Sequence, residues 1–316
     1  MAHDLTTRVG RLRLSNPIMS ASGCFASGME VDQFYNVAEL GAVVAKSVTL
    51  KPREGLPVPR MVETPSGMLN AIGLQNPGIK AWIERDHAWL CERGATVVVS
   101  IAGSSVDEFR QVARHLRRLA GIAAIEINLS CPNVDHPGLV FAYSPDASAE
   151  VVAAVVREAD VPVFAKLTSD VTDIVDIAGA VADAGVDGVT LINTVLGMKI
   201  DAVTGRPELH NGLGGLSGPA IHPVAVRNIY QVHQALPDLP IIGCGGVRTV
   251  QDVVEMLRAG SSAVQIGTST FVDPFIGKRM QVQLADWMTQ HQIKSVQHLV
   301  GAVNEWPIPE PERKRR

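Results

Sequence analysis

The run Asn128-Leu-Ser-Cys-Pro-Asn133 brings a thiol, a rigid proline and two carboxamides together, directly after the apolar stretch Ile122-Ala-Ala-Ile-Glu-Ile127. A near-continuous apolar run of this kind is the pattern of a strand buried on both faces. The polar cluster then falls where the carboxyl end of a parallel strand opens into a loop, which is where α/β barrels carry their chemistry. Cys131 is placed as a reactive side chain, Pro132 stiffens its loop, and Asn128 and Asn133 offer donors and acceptors without charge. Such a set suits deprotonation of a neutral, planar, polar molecule. By itself the hexapeptide has a second reading, a strand cap with a half-buried thiol, because free cysteines commonly act as small buried hydrophobes.

Further groups fit the same mouth. Lys46 and Lys166 each follow an apolar run, and two lysines in a largely neutral pocket point to stabilisation of negative charge, on a substrate carboxylate or an anionic intermediate. Lys166 also suits Schiff-base chemistry. Gly245-Gly246 and Gly267-Thr268 end two late apolar runs; in barrels the last two loops often bind phosphate, because glycine lets backbone N–H groups approach the anion. Gly214-Gly-Leu-Ser-Gly-Pro219 offers a third backbone cradle. The stretch Asn70-Ala-Ile-Gly-Leu-Gln-Asn-Pro-Gly78 lies in a connection too long for a plain loop and is expected to fold over the mouth, with Asn70, Gln75 and Asn76 supplying amide contacts.

These residues need elements to hold them. Short apolar runs bounded by Gly, Pro or polar residues occur at Pro17–Gly23, Ala42–Val48, Thr96–Gly103, Ala123–Ser130, Val161–Thr168, Gly188–Thr194, Pro240–Gly246 and Ala263–Thr268. Helix-like stretches lie between most of them, at Ser105–Ala120, Ser148–Ala159, Ile174–Ala184, Ile221–Ala235 and Thr249–Ala259, and several stop at a glycine (Gly94, Gly185, Gly260). Eight strand–helix units predict an α/β fold, a (β/α)8 TIM barrel. A doubly wound sheet would carry a GxGxxG turn after its first strand, and none is present. Thr6–Leu14 alternates around Gly10 and reads as a hairpin plugging the barrel bottom. The strand ends carry Ser22, Lys46 with Ser47, Ser100, Asn128, Lys166, Asn193 with Thr194, and the two glycine pairs, all converging on one mouth.

The 316-residue chain is 46% hydrophobic and 4% aromatic with a formal net charge of −4, which suits one barrel and does not suggest nucleic-acid binding. Residues 1–306 are expected to form a single domain, and the charged, proline-rich 307–316 a disordered tail. The four cysteines, at 24, 91, 131 and 244, show no CxxC spacing, so no intrinsic zinc or iron–sulfur site is expected. No signal segment or membrane-spanning stretch is evident, and a cytoplasmic setting is expected.

From about Leu12 to about Pro274 the chain resembles the dihydroorotate dehydrogenases, specifically the soluble class 1 enzymes. The matching segments are Asn16-Pro-Ile-Met-Ser-Ala-Ser-Gly23, Lys46-Ser-Val-Thr49, Asn70-Ala-Ile-Gly-Leu-Gln-Asn76, Asn128-Leu-Ser-Cys-Pro-Asn133, Ile192-Asn-Thr194, Gly215-Leu-Ser-Gly-Pro-Ala-Ile221 and Ile242-Gly-Cys-Gly-Gly246. The resemblance implies a barrel with one FMN per chain that oxidises dihydroorotate to orotate in pyrimidine synthesis. It makes Cys131 the base that removes the C5 proton while hydride leaves C6 for flavin N5, a role suited to a thiol whose reference pKa lies about two units above neutrality. Lys46 corresponds to the contact with substrate carboxylate and flavin. Asn70, Asn128, Asn133, Asn193 and Thr194, with the segment Ala71, Ile72, Gly73 and Leu74, correspond to the substrate site. Lys166 corresponds to the partner of the reduced flavin's negative edge, and Ser22, Ser47, Ser100, Asn128, Ile192, Gly218, Gly245, Gly246, Gly267 and Thr268 complete the FMN site.

Cysteine rather than serine as base, and no N-terminal membrane-binding extension, separate the chain from the class 2 enzymes. Gly73-Leu-Gln-Asn76 and Gly215-Leu-Ser-Gly-Pro-Ala220 are most similar to the NAD-linked 1B type. That type implies a partner subunit bearing FAD and a 2Fe–2S cluster, in a heterotetramer of two plus two. The sequence departs from the family pattern at Ser100, at Lys166-Leu-Thr-Ser-Asp170 and at Val134-Asp-His-Pro-Gly138, where His136 reads as a surface loop residue. The alternatives are a dihydropyrimidine dehydrogenase-like flavin barrel, a Schiff-base aldolase using Lys166, and a non-catalytic scaffold.

Overall fold

Eight short strands, nearly all of them wholly buried, form the frame: β1 Ile18–Ser20, β2 Val43–Val44, β3 Val97–Ile101, β4 Ile122–Asn128, β5 Val163–Leu167, β6 Gly188–Leu191, β7 Ile241–Cys244 and β8 Ala263–Ile266. In this computed structural model, which describes residues 3–130, 140–304 and 306, the sheet runs in the order β1-β8-β7-β6-β5-β4-β3-β2 with every pairing parallel. A parallel bridge between Met19 and Ala42 brings β1 and β2 together and closes the ring. The result is the (β/α)8 barrel expected from the eight apolar runs. The strands are rich in Val, Ile and Ala because their outward side chains lie under helices while their inward ones fill the barrel.

The helices follow the sequence pattern closely. Val106–Leu116 is capped by Ser105, Ile174–Asp183 by Asp173, and Val250–Ala259 by Thr249 in a reciprocal box with Asp252. One helix begins earlier than its apolar pattern suggests. Pro145–Val156 starts at a proline, whose fixed φ suits a first helical turn, after the Ser144 cap.

The interior has two storeys. Below, the hairpin of Thr7–Val9 and Leu12–Leu14 turns at Gly10 and inserts Val9, Leu12 and Leu14 among Met19, Val44, Val98, Ala124, Phe164, Ile242 and Ala263. This is the expected bottom plug. Above, the inward positions turn polar at Ser100, Glu126, Lys166, Thr190 and Gln265, all buried. Strand alternation dictates this, since Ala124, Glu126 and Asn128 share one face of β4, and Phe164 and Lys166 share one face of β5.

The long connection after β2 does cover the mouth, in a form not foreseen. Its hairpin of Met61–Thr64 and Gly67–Asn70 joins Val195–Met198 and Leu213–Ser217, from the connection after β6, in a four-stranded antiparallel sheet. Gly214 and Gly215 therefore sit inside a strand rather than in a ligand cradle. A Cβ on Gly215 would lie 2.0 Å from Thr194 Oγ1, so the glycine is required for packing. The tail 307–316 lies outside the described residues.

Candidate active site

The carboxyl ends of the barrel strands surround one cleft with two lobes. The wider lobe, about 630 Å³, is lined among the described residues by Ser22, Lys46, Ser47, Ser100, Asn128 and Lys166 from the barrel. Asn193 and Thr194 line it beyond β6, and Asn70, Ala71, Ile72, Gly73 and Leu74 line it from the covering segment. The narrower lobe, about 70 Å³, is lined by Ile192, Gly218, Gly245, Gly246, Gly267 and Thr268, and shares Ser22, Lys166, Asn193 and Thr194 with the first. The described residues matched to the substrate and flavin sites thus face this cleft. Cys131 and Asn133 lie outside the described residues, as does Val134–Gly138.

A row of uncharged groups forms the floor of the wide lobe. Ser47 Oγ lies 2.9 Å from Ser100 Oγ and 3.2 Å from Ser22 Oγ, and Asn128 Nδ2 donates to Ser47 Oγ at 3.4 Å. Asn193 Nδ2 donates to Asn128 Oδ1 and to Ser130 Oγ, both at 3.0 Å, and Asn193 Oδ1 accepts from Thr194 N–H. Each amide is thereby oriented before a ligand arrives, which lowers the cost of ordering on binding. Gln75 and Asn76 do not join this lining. Gln75 is exposed and accepts from Arg60, while the buried Asn76 takes N–H donors from Thr49 and Gly78 and donates to Thr49 Oγ1 and Leu74 O. Its amide holds the covering segment instead of a ligand.

The narrow lobe is built for close backbone approach. Gly246 has φ +74, and a Cβ there would lie 2.7 Å from His222 Cβ and 2.8 Å from Gly218 O. Behind it, His222 Nδ1 donates to Gly245 O at 3.1 Å while Nε2 lies 3.0 Å from Glu255 Oε2, so the ring braces the glycine turn. Thr268 Oγ1 donates to Ser217 Oγ at 2.8 Å, and Ser269 Oγ donates to Val247 O at 2.5 Å. A glycine-lined slot with hydroxyls beside it fits a phosphate group, and the adjoining lobe has the size and polarity for a planar heterocycle.

Beneath both lobes Lys166 sits in a charged layer whose buried Glu126 and Gln265 the sequence pattern had not brought out. Lys166 Nζ donates to Gln265 Oε1 at 2.9 Å, lies 3.6 Å from Cys244 Sγ and stands 3.8 Å from Glu126 Oε1. Glu126 Oε2 accepts from Gln265 Nε2 at 2.6 Å and from Thr190 Oγ1 at 3.0 Å. Burial opposes the lysine's charge, while the Cys244 sulfur and the Glu126 carboxylate act to raise its pKa above the ordinary value; with Cys244 itself held protonated by burial, Glu126 is the counter-charge near neutral pH. Burial pushes the Cys244 thiol up, and burial with the nearby Cys244 pushes Cys24 up to about 11. The missed signal was a lone Glu within Ile122–Asn128 and a lone Gln within Ala263–Ile266, on inward-facing positions. A Schiff-base role would require Lys166 to shed its proton, and these partners oppose that.

A glycine slot, a buried cation and an amide-lined chamber at the carboxyl mouth of a barrel have the layout of a catalytic cleft with room for an anionic group beside a polar one. The dihydroorotate dehydrogenase family model matches residues 4–288. The chain belongs to the dihydroorotate dehydrogenase family and is an oxidoreductase. It is 46% identical over 297 residues to the dihydroorotate dehydrogenase B (NAD(+)) catalytic subunit of Geobacillus sp. (strain WCH70), covering 94% of this chain and 95% of that one. Proteins of the same description from Anoxybacillus flavithermus and Listeria innocua are 49% and 48% identical, covering 86% and 93% of this chain and 87% and 97% of theirs. A crystal structure of DHODH from Eimeria tenella in complex with ferulenol superimposes with a TM-score of 0.78 at 24% identity, over 95% of this chain and 88% of that one, a likeness of fold. Among the described residues no helix is long and apolar enough to cross a membrane.

Proposed function

We propose that this chain is the catalytic subunit of an NAD-linked dihydroorotate dehydrogenase, which oxidises (S)-dihydroorotate to orotate in the cytoplasm during de novo pyrimidine synthesis. The observation that carries the reading is the meeting, in one cleft, of a glycine phosphate slot, a buried lysine and a pre-oriented amide floor. The relatives named as NAD(+)-linked catalytic subunits support the choice within the family. FMN fits the cleft: Gly218, Gly245, Gly246, Gly267 and Thr268 line the narrow lobe, where glycine lets backbone N–H groups approach a phosphate, and Lys166 lies under the adjoining lobe. When bound, FMN supplies the acceptor for the hydride from C6.

The remaining work falls to the chain. Cys131, following directly on the amide floor in sequence, takes the C5 proton as a thiolate, so that the proton and the hydride leave adjacent carbons and a C=C bond forms between them. Lys46, on the rim, holds the substrate carboxylate. Asn70, Asn128, Asn133, Asn193 and Thr194 surround the pyrimidine, where uncharged donors and acceptors match an imide better than charged groups do. Lys166 offers a fixed cation to the edge of the ring system that gains negative charge. Electrons then leave for NAD+ through a partner bearing FAD and a 2Fe–2S cluster, two such subunits flanking a catalytic dimer.

The purified chain is expected to be yellow, to release FMN on denaturation, and to be bleached anaerobically by dihydroorotate. A colourless protein that cannot be reconstituted with FMN removes the flavin reading. A flavin that dihydroorotate leaves oxidised removes the substrate. Co-purification with an iron–sulfur flavoprotein, and NAD+ reduction only in its presence, tests the partner.

A further inference from the structure

Glu126 is wholly buried among apolar strands, and a buried carboxylate is retained only with strong compensation. Its Oε2 takes two hydrogen bonds, from Gln265 and Thr190. Among the described residues its Oε1 is buried with no hydrogen-bond partner, and Lys166 Nζ stands 3.8 Å away, within ion-pair reach but beyond a hydrogen bond. Gln265 bridges the two, its carbonyl facing the ammonium and its amide N–H the carboxylate, so its orientation follows from the charges it joins. The carboxylate therefore has its strongest unspent interaction with Lys166, and lies below it, on the side away from the cleft.

We propose that Glu126 is a positioning residue that keeps the buried Lys166 charged before the cofactor is reduced, so that electrons arrive beside a cation already in place. The inference rests on the reading that FMN occupies the cleft above. Without a counter-charge, a fully desolvated lysine gives up its proton. With the Glu126 side chain 3.8 Å beneath it, Lys166 stays an ammonium while the flavin ring is neutral. Reduction then follows FMN + 2e⁻ + H⁺ → FMNH⁻, with no further proton required. Were Lys166 neutral beforehand, the same two electrons would bring in a second proton, to Nζ.

The other ionisable groups facing Lys166 are Cys244 from β7 and Cys24 after β1, with Lys46 on the rim of the same lobe; Thr190 and Gln265 do not titrate. Both thiols are held up by burial, Cys24 to about 11, and stay protonated through neutral pH.

The test is the pH dependence of the two-electron midpoint potential of the FMN-loaded protein, measured by dye-mediated titration with dithionite between pH 6 and 9. One proton per two electrons gives a slope of about 30 mV per pH unit, and two protons about 59 mV. The wild type is expected to keep the one-proton slope throughout. Glu126→Gln is expected to change to the two-proton slope within this range, and Glu126→Gln combined with Lys166→Met to return to one proton. Glu126→Met, apolar and of similar volume, carries the same expectation should the glutamine variant not accumulate. A one-proton slope throughout in either Glu126 variant, or a two-proton slope that survives Lys166→Met, overturns the proposal. Failure of the wild type to hold FMN would instead remove the flavin reading, which separates the two.

Discussion

Gly246→Ala isolates what the narrow lobe demands of its backbone. Gly246 and Gly94 have nearly the same conformation, φ +74 and +70, but a Cβ on Gly94 would meet nothing within 4 Å. Gly94→Ala therefore reports the left-handed backbone cost alone, about 1 kcal/mol. Gly246→Ala adds contacts of 2.7 Å to His222 Cβ and 2.8 Å to Gly218 O, both anchored: His222 by Gly245 and Glu255, Gly218 by the mouth sheet. Neither neighbour can yield freely, and the total comes to about 3 kcal/mol. Relief requires the turn to move into the slot where the phosphate is expected. An affinity loss of about 1.4–2.8 kcal/mol, or 10- to 100-fold in FMN Kd, follows from losing one or two backbone contacts to the anion. Denaturant unfolding without added FMN, and titration of FMN by fluorescence quenching, read the two effects separately. Gly94→Ala should lose a little stability and keep the wild-type Kd. A Gly246→Ala protein no less stable than Gly94→Ala, with FMN affinity within threefold of wild type, refutes the assignment of this slot.

Cys131→Ala is expected to abolish turnover with FMN content near that of wild type, and Cys131→Ser to keep partial activity shifted to higher pH; wild-type flavin reduction by dihydroorotate in the alanine variant would sink the base assignment. Asn193→Ala removes donors to Asn128 and Ser130, each worth about 1 kcal/mol, and should raise the KM for dihydroorotate about tenfold in steady-state assays. The raised Cys24 pKa gives stability that is complete below the ordinary thiol value near 9 and is lost as pH rises towards about 11, because the unfolded thiol ionises first. Denaturation midpoints of wild type should thus fall more steeply over that range than those of Cys24→Ala, and parallel curves would contradict the shift.

The barrel was legible because its strands are buried on both faces, so each reads as an apolar run ending in a polar or glycine residue. The same ends gave Ser22, Lys46, Asn128 and Asn193, since a polar side chain directly after such a run has only the mouth to face. What stayed hidden depends on pairing between distant segments. The mouth sheet joins residues 61–70 to 195–217, and neither segment alone says that it has a partner. Gly214 and Gly215 read as a ligand cradle because glycine serves close backbone packing and anion approach alike; only the Thr194 side chain, lying against Gly215, decides between them. Asn76 misled for a related reason: an amide in a loop over a pocket has the same sequence appearance whether it faces a ligand or, as here, its own backbone.

Glu126 separates what the fold requires from what the site requires. The lower storey shows that this barrel closes on apolar side chains alone, with Phe164 and the hairpin residues filling it. One step up each strand, the same inward positions carry Glu126, Lys166, Thr190 and Gln265. Apolar residues of similar volume there would generally leave a barrel as stable or more so, because two buried charges regain in mutual attraction little more than they lose in hydration. Packing therefore gives no reason for the ion pair, and its height in the barrel does: it lies directly below the cleft and nowhere else in the interior. Removing Glu126 alone should destabilise the protein more than removing Glu126 and Lys166 together, since the single change leaves a buried lysine that must give up its proton to stay desolvated and the double change leaves no such cost. That ordering is the one expected of a pair kept for the charge it presents to the cleft.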